Sequence, residues 1–193
     1  MKLIILKNLN LDNKHYTLDL GQLKQSRIYY KHIFMNISHI LKLFASIALP
    51  LGLGAIAGLF TAEAIPGWYK TLNQPSFNPP NWLFGPVWTT LYIFLGISLF
   101  LIWKQKASKE RNKAIFIFFI QLLLNFGWSF IFFYFNRIGI ALIEIILLWT
   151  SIVIMIASFY KIKPIAAYIN IPYLLWVTFA TLLNASYYLL NQS

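Results

Sequence analysis

Apolar residues along this chain gather into long blocks separated by short polar or basic stretches. Crossing a hydrocarbon core of about 30 Å takes about 20 helical residues at about 1.5 Å rise each. Five blocks meet that length: Leu43 to Phe60, Leu83 to Trp103, Ala114 to Phe135, Ile138 to Tyr160 and Ile165 to Leu190. Glu144 is the sole formal charge inside any of them. The pattern predicts an all-α membrane protein, a bundle of five transmembrane helices.

Composition closes off the soluble alternative. Hydrophobic residues make up 59% of the 193 and charged ones 11%, less than half of the roughly 25% that clothes a soluble domain. Five buried helices in so short a chain would have no polar layer to cover them. Cysteine is absent, which excludes disulfides, thiol nucleophiles and thiolate metal sites.

The net charge of +11 would suggest nucleic acid in a soluble protein, but its distribution gives another meaning. Lys2, Lys7, Lys14, Lys24, Arg27, Lys31 and Lys42 precede the first span. Lys104, Lys106, Lys109, Arg111 and Lys113 follow the second, and Lys161 and Lys163 follow the fourth. The opposite side receives only Lys70 and Arg137. This asymmetry predicts a cytoplasmic amino terminus and an external carboxyl terminus; a bacterial cell membrane is the expected host. Lipid is the expected partner and nucleic acid is not.

Residues 1–40 differ in kind: basic, mixed in polarity and without an apolar run of signal-peptide length. They are read as an extension, disordered or placed ahead of a true start at Met35, with the five-span domain over 41–193. No pair of glycine- or proline-interrupted spans recurs in the two halves, which counts against a transporter built from inverted repeats.

Between the first two spans the sequence reads TAEAIPGWYKTLNQPSFNPPN, Thr61 to Asn81. Trp68, Tyr69 and Phe77 among four prolines are not the composition of a floppy linker. A long ordered loop between helices 1 and 2, lying over one end of the bundle, is expected.

The run from Trp68 to Gly96, WYKTLNQPSFNPPNWLFGPVWTTLYIFLG, resembles the signature of the TspO/MBR family of translocator and tryptophan-rich sensory proteins. QLLLNFGWSFIFF, Gln121 to Phe133, is similar to that family's third-helix motif, and PYLLWVTFATLLN, Pro172 to Asn184, to its fifth-helix motif. The resemblance covers about residues 43 to 190.

Helical spacing of three and four gathers polar and aromatic residues into stripes. One is Trp88, Tyr92 and Gly96, a second Gln121, Asn125 and Trp128, and a third Tyr173, Trp176, Ala180 and Asn184. Amides facing lipid are costly, so the stripes should face one another. They could wall a cavity or simply glue helices together.

The resemblance implies the cavity, with porphyrins or synthetic isoquinoline carboxamides as ligands. It places Trp68, Tyr69, Trp88, Asn125, Trp128, Trp176 and Ala180 at the pocket. With Tyr92, Gln121 and Tyr173 from the stripes, these form the candidate ligand-binding set. Trp88 and Trp176 match tryptophans implicated in light-dependent porphyrin breakdown in some relatives, and would be the catalytic pair if that activity is present.

Stacking on Trp and Tyr faces suits a porphyrin plane, while amides, hydroxyls or Lys70 could meet its propionates. His15, His32 and His39 all precede or border the first span, so no histidine is placed to ligate haem iron at the pocket helices. No metal site and no required cofactor is expected; protoporphyrin IX or haem would be a ligand.

The resulting expectation is a membrane receptor or stress sensor for tetrapyrroles. A light- or oxygen-dependent porphyrin-degrading enzyme and a porphyrin transporter are the alternatives. Glu144 follows Arg137 by two helical turns, which allows either an ion pair or a ligand or proton role. Gly54 and Gly58 form a GxxxG pair that could serve the bundle or a homodimer seam. Vertebrate relatives carry a cholesterol motif that needs a basic residue after a tyrosine. Tyr187 and Tyr188 have none after them, so cholesterol binding is disfavoured. Phe77 and Ile140 stand where relatives often have tryptophan.

Overall fold

The computed structural model describes residues 20–192. The chain divides into two units, Met1–Ser38 and His39–Ser193. Of the first, residues 20–38 are described and are helical; the first 19 residues of the extension expected over 1–40 lie outside the described residues.

Helix α1 (Leu20–Ala64) carries the first apolar block. It is followed by α2 (Asn81–Trp103), α3 (Lys109–Ser129), α4 (Ile138–Ile162), the short α5 (Pro164–Tyr168) and α6 (Ile171–Leu190). Five stretches are long and apolar enough to cross a bilayer: Ile37–Tyr69, Asn81–Trp103, Lys109–Tyr134, Ile138–Ile162 and Pro164–Leu190. No strand occurs among the described residues. The protein is a multi-pass, all-α membrane protein with the five spans that its apolar blocks foretell.

The helix ends follow local chemistry. Ser108 caps α3, its hydroxyl accepting from the Arg111 backbone N–H at 3.1 Å. The Arg111 guanidinium closes the preceding turn by donating to the Gln105 carbonyl at 2.9 Å. Pro164 opens α5 and Pro172 lies in the first turn of α6, where a missing N–H costs nothing. The fifth apolar block is therefore two helices rather than one. At the break, buried Asn170 donates to the Ala166 carbonyl at 2.8 Å and accepts from the Ser98 hydroxyl at 3.4 Å.

The core lies among α2 to α6, with Leu95, Ile102, Phe118, Ile152, Met155 and Phe159 fully enclosed. Outward faces carry Phe116, Leu123, Ile143, Leu147, Leu175 and Leu189 exposed. In water such a surface would aggregate; in a bilayer it is the solvated face.

Helix α1 approaches α2 at Gly96. A Cβ built there would lie 2.5 Å from the Ile47 Cα and 2.8 Å from the Ser46 carbonyl oxygen. Gly96→Ala should therefore force the backbones apart and cost about 1–3 kcal/mol, read as a lower unfolding temperature in detergent. Gly85→Ala, with open space around its Cβ, should cost nothing comparable.

The connection expected over Thr61 to Asn81 is shorter than its composition suggests. Ala62, Glu63 and Ala64 are good helix formers and keep α1 running past Phe60. The Thr61 hydroxyl satisfies itself on the Ala57 carbonyl at 3.0 Å. Pro66 does not stop the chain: a π-helical turn, Ile65–Tyr69, absorbs it, with the kink at Gly67. Irregular backbone is confined to 72–80.

That segment is tied to the end of α6. The Asn73 N–H donates to Asn191 Oδ1 at 2.9 Å, and Asn191 Nδ2 donates back to the Asn73 carbonyl at 3.1 Å. Asn73 Nδ2 donates to the Leu190 carbonyl at 3.3 Å. Asn191→Ala removes two of these bonds and should speed amide exchange across 72–80 several-fold, with under about 1 kcal/mol lost globally because the bonds are exposed.

Candidate functional site

Near the end of the bundle where 72–80 meets α6, a cavity of about 520 Å³ lies between α1, α2, the end of α3 and α6. Its size falls in the range of small-molecule sites. Trp88, Trp128, Trp176, Phe84 and Phe132 wall it, with Tyr69, Tyr92 and Tyr187. Among the described residues, no Lys, Arg, His, Asp or Glu lines it.

Spacing explains how each helix supplies its share. On α2, Phe84, Trp88 and Tyr92 recur every four residues, and the Trp88 ring stacks on Tyr92 with centroids 5.4 Å apart. On α6, Trp176, Ala180, Leu183, Asn184 and Tyr187 follow one face. Helix α1 contributes Gly54, Ala57, Gly58 and Thr61. The ring of Tyr92 lies so close to Gly54 that no side chain could stand there. Of the GxxxG pair, Gly54 seats an aromatic ring within the bundle and Gly58 leaves open space at the cavity wall.

Behind Tyr92 runs a buried polar chain across three helices. The Tyr92 hydroxyl donates to Asn125 Oδ1 at 2.7 Å. Asn125 Nδ2 donates to the Tyr173 hydroxyl at 3.1 Å, and that hydroxyl donates to Gln121 Oε1 at 2.9 Å. A second set holds the α3–α6 wall: Trp128 Nε1 donates to Asn184 Oδ1 at 3.0 Å, and Asn184 Nδ2 donates to the Ile138 carbonyl at 3.1 Å. The third joins the π-helical turn to α6, with the Tyr187 hydroxyl donating to the Tyr69 hydroxyl at 2.7 Å and Tyr69 to Asn78 Oδ1 at 3.2 Å.

Two TspO-like tryptophans and the motif asparagines already shape this site, and comparison with known proteins decides its kinship. The sequence pattern of the TspO/MBR family fits residues 46–189.

The chain belongs to the TspO/MBR family.

The tryptophan-rich protein TspO of Archaeoglobus fulgidus is 42% identical to it over 154 residues, 79% of this chain and 99% of that protein. The translocator protein of Homo sapiens is 36% identical over 119 residues, 61% of this chain and 70% of that one. The tryptophan-rich sensory protein of Cereibacter sphaeroides is 32% identical over 117 residues, 61% and 72% of the two chains.

Within this TspO/MBR fold the candidate residues divide into three groups. Tyr69, Trp88, Tyr92, Trp128, Trp176 and Ala180 line the cavity. Gln121, Asn125 and Tyr173 do not: they are buried behind it in the polar chain, where they hold Tyr92 and brace α3 against α6. Trp68 also lies outside the lining and packs edge-on against Phe132, ring centroids 5.7 Å apart. Lys70, a conceivable partner for a carboxylate, is exposed and does not line the cavity.

Residues the sequence reading left out of the set are Thr61, Ile65, Phe84, Phe132, Phe133, Leu183, Asn184 and Tyr187. A four-residue step back from Trp88 finds Phe84, and Asn184 already stands in the α6 stripe. Thr61 and Ile65 were hidden because their segment reads as loop. Ile140 is exposed on α4, away from the cavity lining. The Arg137–Glu144 pair is not formed: both Glu144 carboxylate oxygens are enclosed without a hydrogen-bond partner.

Proposed function

We propose that this TspO/MBR protein binds a flat tetrapyrrole, such as protoporphyrin IX, in the aromatic cavity and acts as a membrane receptor for it. The observation that carries the reading is the lining itself: indole and phenyl faces from several helices around about 520 Å³, with no charged group. Stacking and exclusion of water would bind the ring. Trp176 Nε1 is enclosed and unpartnered, leaving one donor free for a ligand acceptor. With no cation in the lining, propionates would have to remain at the cavity mouth. Neither a protein-bound metal nor a cofactor enters the reading.

The test is quenching of tryptophan fluorescence by protoporphyrin IX. Saturable quenching is expected in the parent chain, with affinity roughly tenfold weaker in Trp88→Ala and in Trp176→Ala. Absence of saturation in the parent would end the proposal.

A second reading, light-dependent porphyrin breakdown with dioxygen as oxidant, is favoured by Trp88 and Trp176 lining the same cavity. Illumination with excess porphyrin separates the two: loss of the porphyrin absorption beyond one equivalent, abolished in Trp176→Phe, is turnover. Transport lacks a comparable observation. The basic residues at the α1, α2–α3 and α4–α5 ends support a cytoplasmic side for those ends, with the cavity toward the outer face of the cell membrane.

A further inference from the structure

Glu144 is the sole acid within the apolar blocks, and the cavity does not use it. Its residue surface is 8% exposed, and both carboxylate oxygens are enclosed without a partner. It sits on the inward face of α4 with Ala141, Ile145 and Leu148, all buried.

Two hydrogen bonds fix its level. Asn184 bonds to the Ile138 carbonyl, and Trp149 Nε1 to the Thr178 hydroxyl at 2.8 Å. Antiparallel helices pinned at those points set Glu144 level with the middle of α6, well inside the bilayer span.

The groups able to neutralise a charge there can be named from every packed element. On α3 the charged residues Lys109, Glu110, Arg111 and Lys113 all lie in the first turns, at the opposite end of the helix. On α6 the ionisable groups are Tyr173, Tyr187 and Tyr188. The Tyr173 hydroxyl already donates its hydrogen bond to Gln121 Oε1. Tyr134, in the π-helical turn at the end of α3, is exposed, as is Tyr168 on α5. On α4 itself Arg137 caps the start of the helix and makes no pair with Glu144. No cation is at hand, and a bare carboxylate in such a medium costs several kcal/mol even after relaxation.

We propose that Glu144 is a proton-binding site in the interior of the bundle, occupied in this fold so that the side chain is a neutral carboxylic acid. Glu144 is not part of the aromatic cavity's lining. It gives the α3–α4–α6 layer a group that can pass between neutral and charged without any ligand.

The experiment is infrared spectroscopy of the full chain in lipid at neutral pH, with ¹³C-labelled glutamate. The chain has three glutamates, and Glu63 and Glu110 are exposed, so both show only carboxylate bands there. The expected result is a protonated-carboxyl band, shifted by the label and absent in Glu144→Gln. Carboxylate bands alone, in the parent chain, would overturn the proposal. The parent spectrum decides the matter even if the variant does not fold.

Thermal unfolding adds an independent reading. Glu144→Gln, which replaces an acid by an isosteric neutral amide, should unfold no earlier than the parent, and Arg137→Gln should match the parent. Equal, marked losses in both would mean an ion pair and would equally refute a proton-occupied site.

Discussion

Ala180→Phe should weaken porphyrin quenching sharply while leaving the protein folded. Ala180 stands midway along the cavity face of α6, between Trp176 and Asn184, and is only part-buried. A phenyl ring placed there has free volume to enter, so it does not overpack the core as it would at Val177, which is 1% exposed. A ligand would have to expel that ring, and the affinity should fall by roughly tenfold or more, above about 1.4 kcal/mol. Unfolding temperature in detergent should shift little. Unchanged affinity would mean that the bound porphyrin lies elsewhere.

The second large effect concerns Asn125, where stability rather than binding responds first. Its amide oxygen accepts from the Tyr92 hydroxyl and its amide nitrogen donates to the Tyr173 hydroxyl. Asn125→Leu keeps the branched outline but strands the Tyr92 hydroxyl among apolar groups and leaves Tyr173 only its bond to Gln121. Interhelical bonds of this kind contribute about 0.6 kcal/mol on average and up to about 2 in bilayers. With two broken at once, a loss of about 2 kcal/mol is expected, read from denaturation in lipid or detergent. Thr178→Val breaks the exposed Trp149 bond and should cost a few tenths. Equal losses in the two variants would show that the buried chain is no more than surface decoration.

Binding should weaken in Asn125→Leu as well, for an indirect reason. Tyr92 lines the cavity and carries the stacked Trp88 ring. Freed from Asn125, it can turn and blur the wall. Asn125 is therefore a positioning residue, buried behind a surface it does not itself form.

The stripes read from spacing were real faces, but one rule gave them two fates. Trp88, Trp128 and Trp176 reach the cavity because α1 keeps its distance at Gly58 and Thr61. Gln121, Asn125 and Tyr173 sit deeper, where α3 and α6 close on each other and amides meet hydroxyls. Periodicity tells which residues share a face. It does not tell how far away the neighbouring helix lies. The loop was misjudged in length for a related reason: prolines and aromatics suggest broken backbone, yet Pro66 is taken up by a π-helical turn and Tyr69 is buried against Tyr187.

By itself the sequence determined that the chain lives in a bilayer, how many times it crosses, and which family it resembles. Those facts depend on block length and residue order alone. Only the tertiary structure decided that Glu144 and Arg137 stay apart, that α5 and α6 part at Asn170, and which polar side chains face an opening and which face one another. Such outcomes depend on distances between helices, which are set by the sum of all side chains packed between them.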